Sequence, residues 1–170
     1  LGVFLALDLF LFFVFWDLSL VGMYFVIAIW GHGDAARSAI KFFIYTLTGS
    51  LALLLGIIGL YLATSPHTFD MISIIQHPPL SGSGLRASLI FLGFVLAFVI
   101  KSPLVPLHTW LPPAHVDAPG PGSAILAGVL LKMGTYGFIR ITLQMMPETF
   151  QRYAFALAVL AVISIVYGAL

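Results

Sequence analysis

The chain has 170 residues, 61% of them apolar and 8% charged, with a formal net charge of +1 and a mean hydropathy of +1.13. Soluble domains carry about 25% charged residues, so this composition excludes a water-facing globular fold, and a net charge near zero argues against a nucleic-acid partner. With no cysteine in the sequence, disulfides and thiolate metal sites are excluded as well.

The pattern predicts an all-α, multi-pass transmembrane helical bundle, because a helix needs about 20 apolar residues to cross a bilayer. The first apolar block covers 1–30. As one helix it would be about 45 Å long, well over a hydrocarbon core of about 30 Å. Asp8, in FLALDLFLF, is the natural break, since aspartate caps helix starts by accepting from freed backbone N–H groups. Residues 1–7 then read as the tail of a preceding helix and 9–30 as a full span. The polar turn GHGDAAR leads into a second span over 37–62, with Arg37 and Lys41 near its end, where they can snorkel. The longest polar connection, 63–86, contains HPPLSGSG and a short amphipathic piece over 69–75.

Residues 87–100 are too few to cross alone. That crossing must therefore run on through Lys101 to 111 and take in Pro103 and Pro106, which makes it a proline-broken helix. A further span covers 122–143, QMMPETFQR is the turn after it, and 153–170 begins the last. Both ends fall inside apolar runs, so the sequence reads as a fragment of a single transmembrane domain with no soluble part. Ala52/Gly56 and Ala124/Gly128 are small residues four apart, a spacing that suits close helix packing in lipid. Arg37 and Lys41 on one side oppose Arg86, Arg140 and Arg152 on the other, so positive charge does not set an orientation.

Three ionisable residues lie inside spans instead of at their ends: Asp17, Lys101 and Lys132. A charge at the bilayer centre costs about 2.5–3.5 kcal/mol on the insertion scale, so three of them need a reason. One account is a structural ion pair between Asp17 and one lysine, with the other lysine reaching an interface. The other is a buried proton relay. Burial disfavours a charged lysine and a nearby carboxylate favours it, so a lysine held between them takes up or releases a proton when its neighbour moves. The relay is the stronger account, because apolar packing serves a purely structural role at lower cost.

The prolines bear on this. Pro103 and Pro106 have no N–H, so the carbonyls of Val99 and Ser102 lose their helical partners. At membrane depth such groups are tolerated only where protein or a water-filled cavity satisfies them, and broken helices recur at transporter ion sites. The sequence thus predicts a wet break beside Lys101. His108, seven residues on, shares its face if the helix resumes after Pro106, and histidine titrates near neutral pH. His115 and Asp117 belong to the loop at that end and can line a proton path. His32, His67 and His77 fall in solvated turns. No metal site is expected, since no carboxylate or cysteine stands at ligand spacing from a histidine, and no nucleotide or haem motif appears.

The stretch KSPLVPLHTWLPPAHVDAPGPGSAILAGVLLKMGTYGFIR resembles the signature of the antiporter-like, proton-translocating subunits of respiratory complex I, the NADH–quinone oxidoreductase. FLALDLFLFFVFWDLSLVGMYFVIAIWG and KFFIYTLTGS support the same likeness, and ILAGVLLKMGTYG points to the branch called subunit M in bacteria and subunit 4 in mitochondria. The resemblance implies that Asp17 and Lys101 stand where the family has its pumping glutamate–lysine pair. It implies that Lys132 matches the lysine linking that pair to the central water-filled axis, and that His108 matches a histidine of the broken helix. The 9–30 helix would end on the cytoplasmic or matrix side, together with His115. Departures are Asp17, one methylene shorter than the usual glutamate; Pro113 in place of aspartate; Asp117 in place of glutamate; Gly22 in place of proline; and GPG in place of a threonine-containing turn.

The resemblance further implies a translocase subunit without a redox centre of its own. Flavin, iron–sulfur clusters and NADH would belong to other subunits. Its partners would be the lipid bilayer and other membrane subunits of the complex, sister antiporter-like subunits included. A bacterial plasma membrane is the expected location, with an organellar inner membrane second. A cation/proton antiporter, a membrane-bound hydrogenase subunit and a non-pumping structural membrane subunit are the alternatives.

Overall fold

The computed structural model describes residues 1–80 and 84–169. Residues 81–83, within HPPLSGSG, and Leu170, the last residue of the expected 153–170 span, lie outside the described residues. All regular structure among the described residues is helical apart from one isolated bridge.

A single turn, α1 (Gly2–Leu5), is all of the expected 1–7 tail that is helical. Asp8 then starts α2 (Leu9–Trp30), its carboxylate accepting from the N–H groups of Phe10 at 2.9 Å and Leu11 at 3.0 Å. Helix α3 (Ala35–Tyr61) returns antiparallel to it. In the long connection that follows, α4 (Met71–Gln76) is capped the same way, with Asp70 accepting from Ile72 N–H at 3.3 Å and Ser73 N–H at 3.1 Å. The two caps also meet each other. Asp8 and Asp70 face across an antiparallel bridge in which Leu9 N–H donates to Phe69 O and Met71 N–H to Leu7 O, both at 2.9 Å. Each aspartate thus starts a helix and helps clasp two helix starts together.

The clasp titrates. The Ser73 hydroxyl, then the Ser73 and Ile72 N–H groups, hold the Asp70 carboxyl below its ordinary range. A group depressed in the folded state contributes stability that is full above its unfolded value and lost as pH falls through its folded one. Protection of the Ile72 and Ser73 amides from hydrogen exchange, relative to their intrinsic rates, should therefore fall on acidification below about pH 4. Asp70→Asn should remove that pH dependence; unchanged acid sensitivity in the variant would rule Asp70 out as its source.

Helix α5 (Leu85–Lys101) packs on α3, which also packs on α2. Small residues make this approach possible. A Cβ added at Gly56 would stand 3.2 Å from the Phe94 ring, and one at Gly93 would stand 3.1 Å from Ala52 O. The Ala52/Gly56 pair therefore lies in the helix contact. The Ala124/Gly128 pair does not: Ala124 is exposed and Gly128 faces open space. Their helix, α7 (Gly120–Leu143), meets α5 through Gly134 and Gly137 instead. Two π-helical stretches, Leu126–Leu130 and Phe138–Leu143, interrupt it and rotate the side chains that follow relative to a regular repeat.

The crossing expected over 87–111 is not one continuous helix. It stops at Lys101, residues 102–110 run as turns, and a short helix, α6 (Leu111–Asp117), follows. Pro103 and Pro106 lack the N–H groups that would carry the helix on. His115 and Asp117, expected in a loop, are on α6. The last helix, α8 (Pro147–Ala169), begins before the expected 153, because proline is well placed in a first turn that needs no N–H. It stacks Tyr153 on Phe91 of α5 with ring centroids 5.4 Å apart. Helices α2, α3, α7 and α8 are long and apolar enough to cross a membrane, and the fold is an all-α, multi-pass transmembrane bundle with a proline-broken helix.

Candidate functional site

Lys101 is the last residue of α5 and is 2% exposed. Its Nζ sits 5.1 Å from the centre of the Trp16 indole ring, in cation–π range, and has no hydrogen-bond partner among the described residues. Trp16 is itself wedged between Phe12 and Phe98, at centroid distances of 5.6 and 5.8 Å. The next residue along α2, Asp17, accepts a hydrogen bond from the hydroxyl of Ser50 on α3. At Gly49, α3 lies against the end of α5, where a Cβ would stand 3.4 Å from Ile100. Asp17 and Lys101 feel each other's charge but make no direct ion pair within 4.0 Å. Three helices thus bring a carboxylate, a hydroxyl and a buried amine together at the break.

The break is satisfied differently from the expectation. Val99 O, which Pro103 was expected to leave free, accepts from Leu104 N–H at 3.0 Å. The carbonyl of Ile100 accepts from the Trp110 indole Nε1–H at 3.0 Å. Val105 N–H donates at 3.0 Å to the Ser164 hydroxyl, which in turn donates to Leu160 O at 2.8 Å. Protein groups therefore take up much of the backbone that the prolines disturb. Among the described residues, three side-chain atoms here are buried without a hydrogen-bond partner: Lys101 Nζ, Ser102 Oγ and His108 Nδ1.

The other predicted residues do not converge on this point. His108 shares no helical face with Lys101, because the chain does not resume as a helix until Leu111; its ring packs edge-on against Tyr167 of α8 at 5.2 Å. Lys132 is exposed on α7. Gly134 and Gly137 occupy the side of α7 that meets α5, and two residues at about 100° each turn Lys132 away from it. His115 is exposed, with its Nδ1 2.8 Å from Ser123 Oγ. Asp117 is bound up in structure: it accepts from the Ser38 hydroxyl at 2.6 Å through its carboxylate and from His32 N–H at 2.9 Å through its backbone carbonyl.

Ser50, Trp16, Trp110 and the hydroxyl of Ser102 are not singled out by the sequence. For Ser50 a signal existed, since TLTGS sets hydroxyls at 46, 48 and 50 in an apolar span. For Trp110 none did, because its indole reaches a carbonyl ten residues back only through the shape of the break.

Residues 6–170 match the family model described as NADH:quinone oxidoreductase/Mrp antiporter, transmembrane. NADH-quinone oxidoreductase subunit M of Escherichia coli (strain K12) is 46% identical over 178 residues, covering 99% of this chain and 34% of that protein. A chain of the respiratory complex I from Thermus thermophilus with bound NADH superposes with a TM-score of 0.88 at 37% identity, over 99% of this chain and 35% of that one. A chain of the Mrp complex from Dietzia sp. DQ12-45-1b does so with a TM-score of 0.76 at 29% identity, over 85% of this chain and 16% of that one. The chain thus spans about a third of the length of the curated relatives it matches. On the family match and the fold together, the chain belongs to the NADH:quinone oxidoreductase/Mrp antiporter transmembrane family.

Proposed function

We propose that this chain is part of a proton-translocating membrane subunit of an NADH–quinone oxidoreductase of the subunit M type. Asp17 and Lys101 form its switching pair, and redox chemistry in other subunits drives it. The observation that supports this most is the unpartnered, buried Nζ of Lys101 beside a carboxylate that a third group holds. A signal that changes the distance between the two alters how strongly the amine keeps its proton, and the proton then leaves through the break. Ser102 and His108, with buried polar atoms free to bond, offer stations along it. Lys132, exposed on α7, would pass the proton on to groups outside this stretch of chain, and His115 and Asp117 would lie near the opening at the α6 end. Flavin, iron–sulfur clusters and NADH would reside in other subunits. The partners would be neighbouring membrane subunits and lipid, in a bacterial plasma membrane.

The test is Asp17→Asn in the assembled complex reconstituted into vesicles. Removing the charge while keeping the shape should lower proton pumping at least tenfold, since charge-assisted interactions are worth about 1.5–3 kcal/mol. If assembly falls while pumping per assembled complex stays normal, Asp17 only locks helices together and the proposal fails. The likeness to the Mrp complex supports a second reading, a cation/proton antiporter subunit, although the complex I chain matches at higher identity and over more of the chain. The subunits that co-purify with the chain separate the two.

A further inference from the structure

Three hydroxyls on one stretch of α3 behave differently. Thr46 and Thr48 bond back to their own helix, donating to Phe42 O at 2.6 Å and Ile44 O at 2.8 Å, the usual fate of a hydroxyl inside an apolar helix. Ser50, 1% exposed, instead donates across the interface to the Asp17 carboxylate. By the spacing its neighbours use, its own alternative acceptor is the carbonyl of Thr46, four residues back.

This divided choice matters because of what lies beyond it. Lys101 Nζ is buried within reach of the Asp17 charge and has no hydrogen bond of its own among the described residues. A carboxylate oxygen that accepts from Ser50 is directed towards α3, and at Gly49 that turn of α3 lies against Ile100, the residue before Lys101.

We infer that Ser50 is a positioning residue for Asp17: its hydroxyl holds the carboxylate off Lys101, and its return to the Thr46 carbonyl releases Asp17 to close on the lysine. The inference rests on the proposed role of the Asp17–Lys101 pair and adds a third member to it. Proton affinity at Lys101 then depends on which of two acceptors a single hydroxyl uses. No bond is made or broken beyond the hydrogen bond itself. Rotation of one side chain is enough.

The experiment uses the full complex in vesicles with Ser50→Ala, Ser50→Cys and Ser50→Thr, alone and combined with Asp17→Asn. Ser50→Ala and Ser50→Cys should lower pumping per assembled complex about tenfold, the size expected for losing a hydrogen bond to a charged group, and Ser50→Thr, which keeps the hydroxyl, should retain it. Adding Ser50→Ala to Asp17→Asn should cost nothing further, because the serine acts only through the aspartate. The infrared carboxyl band identified by its loss in Asp17→Asn should shift in Ser50→Ala. A serine that does not bond the carboxylate would leave that band in place, and one that acts apart from Asp17 would have an effect that multiplies with that of Asp17→Asn. Either result, or normal pumping in Ser50→Ala, overturns the inference. Normal pumping in Asp17→Asn itself would instead overturn the reading of the pair.

Discussion

Lys101→Met is expected to abolish proton pumping while leaving the bundle at least as stable as before. The two halves of this result come from one fact, the burial of Nζ with no hydrogen-bond partner. A lysine at membrane depth costs about 2.5–3.5 kcal/mol, and an unpaired buried amine is costly in either protonation state. Methionine keeps most of the volume, ends in a methyl one bond short of the amine's position, and exchanges the unpaired amine facing the Trp16 indole for an apolar, polarisable side chain. Lys101→Ala removes the same polar cost but leaves a cavity worth about 2–5 kcal/mol. Its stability should therefore fall below that of the methionine variant. Neither can hold a proton. Thermal unfolding of the purified complex and acidification of its vesicles measure the two effects separately. A methionine variant that pumps normally would refute the relay, and one that unfolds early would make Lys101 a structural residue.

The sequence revealed most where the cause is local. Aspartate in an apolar run is a cap whatever surrounds it, and Asp8 starts α2 through bonds to residues two and three positions ahead. Proline without an N–H breaks a helix wherever it falls beyond the first turn, so the interruption after Lys101 is visible in the sequence. How the break is filled was not. Trp110 reaches Ile100 O across ten residues, and Ser164 reaches Val105 N–H from another helix. Such partners depend on how the segments are placed in space, which spacing along the chain does not encode. The same limit applies to the charges. Depth along a helix put Asp17, Lys101 and Lys132 in one layer, but depth says nothing about azimuth. Gly134 and Gly137 claim the α5-facing side of α7 and leave Lys132 on another. Ser50 escaped notice because one hydroxyl among several in an apolar span acquires meaning only when a carboxylate lies opposite.

Gly134→Ala and Gly128→Ala should have opposite effects, although both replace a glycine within the same helix. Alanine is favoured over glycine in a helix by about 1 kcal/mol. At Gly128 an added carbon meets nothing within 4 Å, so that gain should appear in full as higher stability. At Gly134 the same carbon would lie 2.9 Å from both Phe98 O and Ser102 N, closer than real Cβ contacts come. Those atoms are backbone and are bonded to each other at 2.8 Å, so neither can swing aside. Helix α7 must instead move away from the end of α5, and overpacking of this kind costs about 1–3 kcal/mol, which outweighs the propensity gain. Ser102 adjoins Lys101, so the displacement also disturbs the Asp17–Lys101 geometry. Gly134→Ala should therefore pump less per assembled complex, and Gly134→Val, with two more carbons, should assemble poorly. Unfolding temperature and pumping, measured for all three variants, test this; if Gly134→Ala were as stable and active as Gly128→Ala, close approach at Gly134 would not be what seats α7 against the break.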